Sequence, residues 1–358
     1  MITDMYQHLK EKIGHIMPDP EIRIQAEIAE EVMRLKKERN AVILGHNYMD
    51  AALFNSVPDF VGDSLELSRK AAETDADVIV FCGVKFMAET AKILSPDKTV
   101  LIPTPKGGCS LAEGITVEDV RMLKERFPGA PVVTYINTYA DIKAEVDICC
   151  TSGNAKAVME SLGADKVIFL PDQYLAANVA KETGKRIIFP KDFPKLDSGE
   201  ITEDDYDMIG WSASCEVHEL FQVSDIERVR KQFPDVAVLA HPECPTEICE
   251  ASDFTGSTSG MIKWVKQSTA KRFLLMTECA MGDNIAAQVK DEGKEVLRLC
   301  SQRCPHMAEV TLADTRDALL NMQTEVTVPE EIRVKALKSV QRMLEIGPSG
   351  SFTNSFKS

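Results

Sequence analysis

No apolar run in this sequence approaches the roughly 20 residues that span a bilayer. The opening stretch, Met-Ile-Thr-Asp-Met-Tyr-Gln-His-Leu-Lys, also lacks the basic head and apolar core of a signal peptide. The expected setting is cytoplasmic, with no membrane partner. Positive charge is scarce: 41 Lys and Arg stand against 56 Asp and Glu, a formal net charge of −15. Nucleic acid, whose phosphates demand a basic face, is thereby excluded as a partner, and an anionic substrate would have to be captured by local donors. Local cysteine motifs are missing too. Among ten cysteines there is no CxxC, no CxxxCxxC and no zinc-finger spacing of Cys and His. Secreted disulfide frameworks belong to small chains with weak cores. This chain, 358 residues long and 44% hydrophobic, has ample core-forming sequence, so thiols or metal ligands are the better reading.

What the sequence does contain is a long-period repeat, the feature to seek first because missing it miscalls the fold. Ala41-Val-Ile-Leu-Gly-His-Asn-Tyr48, Val132-Val-Thr-Tyr-Ile-Asn137 and Val236-Ala-Val-Leu-Ala-His-Pro-Glu243 are short β-branched apolar runs that end abruptly in reactive polar residues. A buried parallel strand reads this way. Each is followed by an aspartate-led stretch, at Asp59, Asp147 and Asp253, that opens a helical pattern. A second apolar run comes next (Val78–Phe81, Val167–Leu170, Arg272–Met276), then a helix, then a third run (Thr99–Ile102, Arg186–Phe189, Glu295–Arg298), and then a cysteine: Cys109, Cys215 or Cys304.

The fold class is therefore α/β: three pseudo-symmetric α/β/α, Rossmann-like units with short parallel sheets around a central site. The units run 41–108, 109–214 and 215–306. An N-terminal helical segment, 1–40, is expected to pack on the first unit, and C-terminal helices, 307–358, to return to it and end in a disordered tail. Extra length in the second unit, around Lys191 to Gly210, is acidic and contains Pro and Gly, and reads as a surface loop.

Ligands of open α/β sheets bind beyond the carboxyl ends of the strands. A lone His or Tyr is more often structural than catalytic, but His46 and Tyr48 stand at such a strand end, and His218, His241 and His306 lie at strand ends or within three residues of a key cysteine. The Gly62-Asp-Ser64, Thr151-Ser-Gly153 and Gly256-Ser-Thr-Ser259 stretches read plainly as helix caps. Their functional reading is an anion pocket, since helix N-termini bind carboxylate and phosphate. Taken singly, each cysteine is a small buried hydrophobe. Only Cys109, Cys215 and Cys304 recur at one topological place. Three thiolates at one centre suit an iron–sulfur cluster with one iron left open. Cys82 and Cys279 follow the middle runs of two units, with no counterpart in the third.

These stretches, with Gly83-Val-Lys-Phe-Met-Ala-Glu89, Cys150-Thr-Ser-Gly-Asn-Ala155, Cys215-Glu-Val-His218, His241-Pro-Glu-Cys-Pro245 and Cys304-Pro-His-Met307, resemble the quinolinate synthase family (quinolinate synthetase A), iron–sulfur enzymes of NAD biosynthesis, from about residue 25 to 345. The resemblance implies a 4Fe-4S cluster on Cys109, Cys215 and Cys304. It implies a transferase that condenses iminoaspartate with dihydroxyacetone phosphate, giving quinolinate, phosphate and water, with an aspartate-oxidising enzyme as supplier of iminoaspartate. By resemblance, acid–base work falls to Tyr48, His46, His218, Glu243 and His241, and substrate binding to His46, Ser64, Tyr135, Asn137, Ser152, His241, Glu243, Ser257 and Thr258. The chain departs from tighter cysteine patterns of some relatives at Cys300-Ser-Gln-Arg-Cys304, which speaks against a regulatory disulfide. Rival readings are an iron–sulfur redox sensor or electron carrier, which needs neither acid–base residues nor an anion pocket, and a zinc lyase, which the three-fold cysteine placement does not suit.

Overall fold

The computed structural model describes residues 2–299 and 301–346. Cys300 and the tail expected to be disordered, 347–358, lie outside the described residues. Three separate parallel sheets form the frame. The first holds β1 (Ala41–His46), β2 (Phe60–Gly62), β3 (Val78–Cys82) and β4 (Thr99–Leu101) in the order β2-β1-β3-β4. The second holds β5 (Val132–Tyr135), β6 (Ile148–Cys150), β7 (Val167–Leu170), β8 (Ile187–Ile188) and β9 (Met208–Gly210) in the order β6-β5-β7-β9-β8. The third holds β10 (Ala237–Ala240), β11 (Phe254–Thr255), β12 (Arg272–Met276) and β13 (Glu295–Arg298) in the order β11-β10-β12-β13. Helices flank each sheet, so the central strands are buried on both faces, with Ile43, Val80, Val133, Phe169, Leu239 and Leu274 fully enclosed. Full burial of such a side chain is worth about 1.5–3 kcal/mol, and this is what the uniformly apolar runs encode.

The aspartates that open the repeated stretches have a structural task. Asp59 Oδ2 accepts from Ile43 N at 2.8 Å, Asp147 Oδ2 from Val132 N at 2.7 Å and Asp253 Oδ2 from Val238 N at 2.9 Å. The backbone N–H of each aspartate donates in turn to the carbonyl of that same residue. Each aspartate thus clamps the start of an edge strand to the first strand of its unit and fixes the register.

Several expectations need correction. The edge strands β2, β6 and β11 come between each aspartate and the following helix; with two or three residues apiece they carry no readable periodicity. The supposed surface loop around Lys191–Gly210 does contain exposed turns, but its end is β9, buried and inserted between β7 and β8. β9 therefore occupies the place that β4 and β13 hold in the other units, and Cys215 follows it. The N-terminal segment is two helices, Ile2–Ile13 and Asp19–Glu38, broken at Pro18, which precedes the second helix with Pro20 in its first turn. The helix Leu312–Asn321 packs on Asp19–Glu38 and β3 of the first unit. The helix Glu330–Glu345 packs on the helix Ala140–Glu145 and β6 of the second unit, as well as on the helix Lys85–Leu94 of the first. Cys279 is disulfide-bonded rather than a free thiol. No helix among the described residues is long and apolar enough to cross a membrane.

Candidate active site

In each sheet the strand order reverses direction beside the first strand, and the residues after β1/β3, β5/β7 and β10/β12 sit where open α/β sheets bind ligands. These ends meet at one cavity. It is lined by His46 and Tyr48 from the first unit, Tyr135, Asn137 and Ser152 from the second, and His241, Glu243 and Thr258 from the third, together with His218 and all three of Cys109, Cys215 and Cys304. Ser64 and Ser257 are not among the lining residues. Asp63, not Ser64, caps the helix Ser64–Glu73, in a capping box with Glu66. Ser257 caps the helix Thr258–Gln267 by accepting from Gly260 N at 3.2 Å. In the second unit the residue before the helix Ala155–Leu162 is Asn154, and Ser152 faces the cavity instead of capping.

Glu243 is the hub of the buried polar groups. Its carboxylate accepts from Tyr135 Oη at 2.5 Å and from Asn137 Nδ2 at 3.5 Å, and it stands 3.0 Å from His218 Nδ1 and 3.7 Å from His241 Nδ1. Burial opposes its ionisation, but the two histidines and the Tyr135 hydroxyl outweigh burial and hold the carboxyl well below its usual range. Burial likewise pushes His46 down to about 4 and His241 down to about 3, so both are neutral imidazoles at neutral pH. The His218 and His241 rings stack with centroids 4.9 Å apart, and His241 Nε2 is 3.2 Å from Ser152 Oγ.

Thr277, the first residue beyond β12, was not singled out in the sequence. Its Oγ1 lies 2.6 Å from Tyr48 Oη and 2.9 Å from His218 Nε2, while the phenol and the imidazole are themselves 3.5 Å apart. His218 Nδ1 faces both the Glu243 carboxylate, at 3.0 Å, and Cys215 Sγ, at 3.1 Å. Because an ionised carboxylate only accepts, the neutral ring carries its proton on Nδ1 and accepts at Nε2. Thr277 then donates to His218 and accepts from Tyr48. The result is a directed chain, Tyr48 to Thr277 to His218 to Glu243, drawn from all three sheets' ends. Burial, reinforced by the Glu243 charge, raises the Tyr48 phenol well above its ordinary value, so the proton stays on it at rest. Glu216 and Glu278, which the sequence does not mark, also line the cavity, as does His306, marked by its nearness to Cys304 but given no role. His306 pairs with Glu216 at 3.1 Å, and Glu278 accepts from the backbone N–H of Cys304 at 3.3 Å.

A family model described as Quinolinate synthetase A protein matches residues 30–345. The quinolinate synthase of Xylella fastidiosa is 52% identical over 317 residues, 88% of this chain and 86% of that one. The chain belongs to the quinolinate synthetase A family. Within it, the quinolinate synthase of Sinorhizobium fredii is 48% identical over 339 residues, 95% of this chain and 88% of its own. Quinolinate synthase 2 of Mesorhizobium japonicum is 48% identical over 338 residues, with 94% and 97% covered.

For a quinolinate synthetase A chain the question is whether these residues suit an iron–sulfur cluster, and the three thiols do. All three are free, half-buried and open to one cavity. Burial raises Cys109 to about 12, Cys304 to about 11 and Cys215 well above its ordinary value, and Cys109 feels the charge of Cys304 as Cys215 feels that of Cys109. The backbone amides two and three residues on pull the other way at every one of them: Leu111 and Ala112, Val217 and His218, His306 and Met307. Each cysteine thus sits before a helical turn whose N–H groups favour thiolate, and a cationic iron core would complete that balance. A second possible ligand group, Cys215, His218 and Glu243, has its atoms within 4.8 Å of one another. Glu243 and His218 in that group already serve the chain described above.

Proposed function

We propose that this chain is a quinolinate synthase, a cytoplasmic transferase of NAD biosynthesis. It condenses iminoaspartate with dihydroxyacetone phosphate to quinolinate, with release of phosphate and water, and draws its iminoaspartate from an aspartate-oxidising enzyme. The observation that carries this reading is the meeting, in one cavity, of three thiols, each following a strand of a different sheet, with the Tyr48–Thr277–His218–Glu243 chain.

Cys109, Cys215 and Cys304 would hold a 4Fe-4S cluster, whose iron without a protein ligand supplies a Lewis acid for a substrate carboxylate or hydroxyl. The remaining work is proton movement. When Tyr48 acts as a base, its phenol oxygen takes the substrate's proton while its own proton passes to Thr277 Oγ1 and the Thr277 proton passes to His218 Nε2. The imidazolium so formed lies against the Glu243 carboxylate, which offsets its charge. Running the chain backwards returns the proton to a leaving hydroxyl. Tyr135 and Asn137 hold Glu243 in place from the side away from His218. With Glu243 ionised and His46 and His241 neutral, the polar wall is not cationic, so hydroxyls must bind the anionic substrates. Ser152 and Thr258 are placed for that task.

A redox carrier has no use for a directed proton chain beside its cluster. The close Cys215, His218 and Glu243 group favours zinc as a second reading, but a metal there would have to displace the hydrogen bonds that Glu243 already accepts. Anaerobic incubation of the iron-loaded protein with both substrates tests the proposal: quinolinate and phosphate in equal amounts are expected, and failure to form quinolinate would overturn it.

A further inference from the structure

Ser152 and Thr258, two of the hydroxyl residues that line the cavity, are each held by a group from another unit. Ser152, from the second, is paired with His241 of the third. Thr258, from the third, is paired with Asn47 of the first, whose Nδ2 is 2.9 Å from Thr258 Oγ1. We propose that Asn47 is a positioning residue that turns the Thr258 hydroxyl hydrogen into the cavity, where it donates to an anionic oxygen of a substrate. This deepens the functional proposal above and rests on it.

The direction of the network follows from its charged end. Ser259 Oγ donates to the Glu66 carboxylate, so its single hydrogen is used. The same oxygen accepts from Asp63 N at 3.2 Å and faces the Asn47 side chain at 3.3 Å. An oxygen with no hydrogen left must accept, so the Asn47 atom facing it is the amide nitrogen. That nitrogen is also the one against Thr258, and Thr258 therefore accepts from Asn47. Its own hydrogen is left over. The Thr258 hydroxyl has no other hydrogen-bond partner among the described residues, and as the first residue of its helix Thr258 has no preceding helical turn to offer a carbonyl. The cavity is where that hydrogen can be used. Asn47 is itself buried, and its backbone carbonyl accepts from Asn284 Nδ2 at 3.1 Å, so the amide is held rigidly enough to impose this polarity.

The ligand chemistry is an anionic oxygen, which either the phosphate of one substrate or a carboxylate of the other could supply. Steady-state kinetics of the cluster-loaded enzyme with each substrate varied in turn separates the two. Asn47→Asp keeps the shape but replaces the donor by an acceptor, which would draw the Thr258 hydrogen away from the cavity. Asn47→Ala removes the donor without adding charge, and Thr258→Val removes the hydroxyl. In Asn47→Asp and Thr258→Val, KM for one substrate should rise about ten-fold while kcat stays within about three-fold, the size expected for one hydrogen bond to a charged group. The Asn47→Ala/Thr258→Val double variant should be no worse than Thr258→Val, because Asn47 acts only through that hydroxyl. Unchanged KM for both substrates in Asn47→Asp, a loss confined to kcat, or a double variant showing the product of the two single losses would each overturn the inference. Calorimetric binding of inorganic phosphate and of aspartate reads the same hydroxyl without turnover. One of the two should bind about ten-fold more weakly to Asn47→Asp, and parent-like affinity for both would refute the inference. If the parent protein forms no quinolinate, the functional proposal fails instead, and the binding arm still decides the role of Asn47.

Discussion

Thr277→Val is the sharpest perturbation of the proposed proton chain, because valine has the shape of threonine and lacks only the hydroxyl. Two groups lose their partner at once: the half-buried Tyr48 Oη, 2.6 Å from Thr277, and the buried His218 Nε2, 2.9 Å from it. An unmet buried polar group costs about 1–3 kcal/mol. The phenol and the imidazole, already 3.5 Å apart, can close part of that gap by bonding to each other. A net loss of about 2 kcal/mol follows, which for a chain of this size lowers the melting temperature by only a few degrees. The effect on turnover should be larger, on the order of 10²-fold or more in kcat, since a direct Tyr48–His218 contact at that distance is a poor route for a proton. Thr277→Ser restores the hydroxyl and should recover most of the rate. Anaerobic single-turnover measurements, with iron content and melting recorded on the same samples, give the answer. A Thr277→Val enzyme that retains its iron and turns over within about three-fold of the parent would refute the chain, and a Thr277→Ser enzyme as slow as Thr277→Val would show that packing of the methyl, not the hydroxyl, matters.

Cys109→Ala, Cys215→Ala and Cys304→Ala should each lose the intact cluster and activity, whereas Cys82→Ala, whose thiol is buried beside Thr315, should keep both, as iron and sulfide determination will show. Tyr48→Phe and Glu243→Gln should bind a normal cluster yet turn over on the order of 10²-fold or more slowly; wild-type rates would show that the acid–base roles lie elsewhere. Ser257→Ala should cost about 1 kcal/mol of stability as a lost cap and leave substrate affinity alone, whereas Ser152→Ala should weaken binding by about ten-fold with little change in melting; the reverse pattern would misplace the anion pocket. The lowered values of His46, about 4, and His241, about 3, mean that between those values and the ordinary 6.5 the unfolded chain binds more protons than the folded one. Stability from these groups is complete above about pH 6.5 and is lost as the pH falls toward 4 and then 3, so urea unfolding of the cluster-free protein should show a falling midpoint over that window. A flat midpoint would contradict the burial of neutral imidazoles.

The central strands were legible because a strand buried on both faces must be apolar along its length, and three such runs ending in His46, Tyr135 and His241 could hardly arise from surface elements. The three cysteines were legible only through the repeat, since no local spacing joins them. What escaped has physical reasons. The edge strands β2, β6 and β11 are set by the aspartate clamps at Asp59, Asp147 and Asp253, which the sequence displays as a recurring residue without revealing its hydrogen bonds. β9 was hidden because Met208-Ile-Gly210 follows an acidic stretch and is too short to show a pattern, although its burial is complete. Ser64 reads from the sequence as a member of the anion pocket because a capping stretch does not say which of Asp63 and Ser64 makes the cap. Thr277 is a single hydroxyl after an apolar run, and only the convergence of β1, β12 and the Cys215–His218 turn gives it partners. A search for polar residues directly following the middle strand of each unit would have found it.

The most direct test of the whole reading is anaerobic metal analysis of the purified, reconstituted protein, combined with its absorption spectrum and repeated on Cys215→Ala. About four iron and four acid-labile sulfide per chain are expected, with charge-transfer absorption that Cys215→Ala lacks. Zinc without iron, or a full cluster in Cys215→Ala, would contradict it.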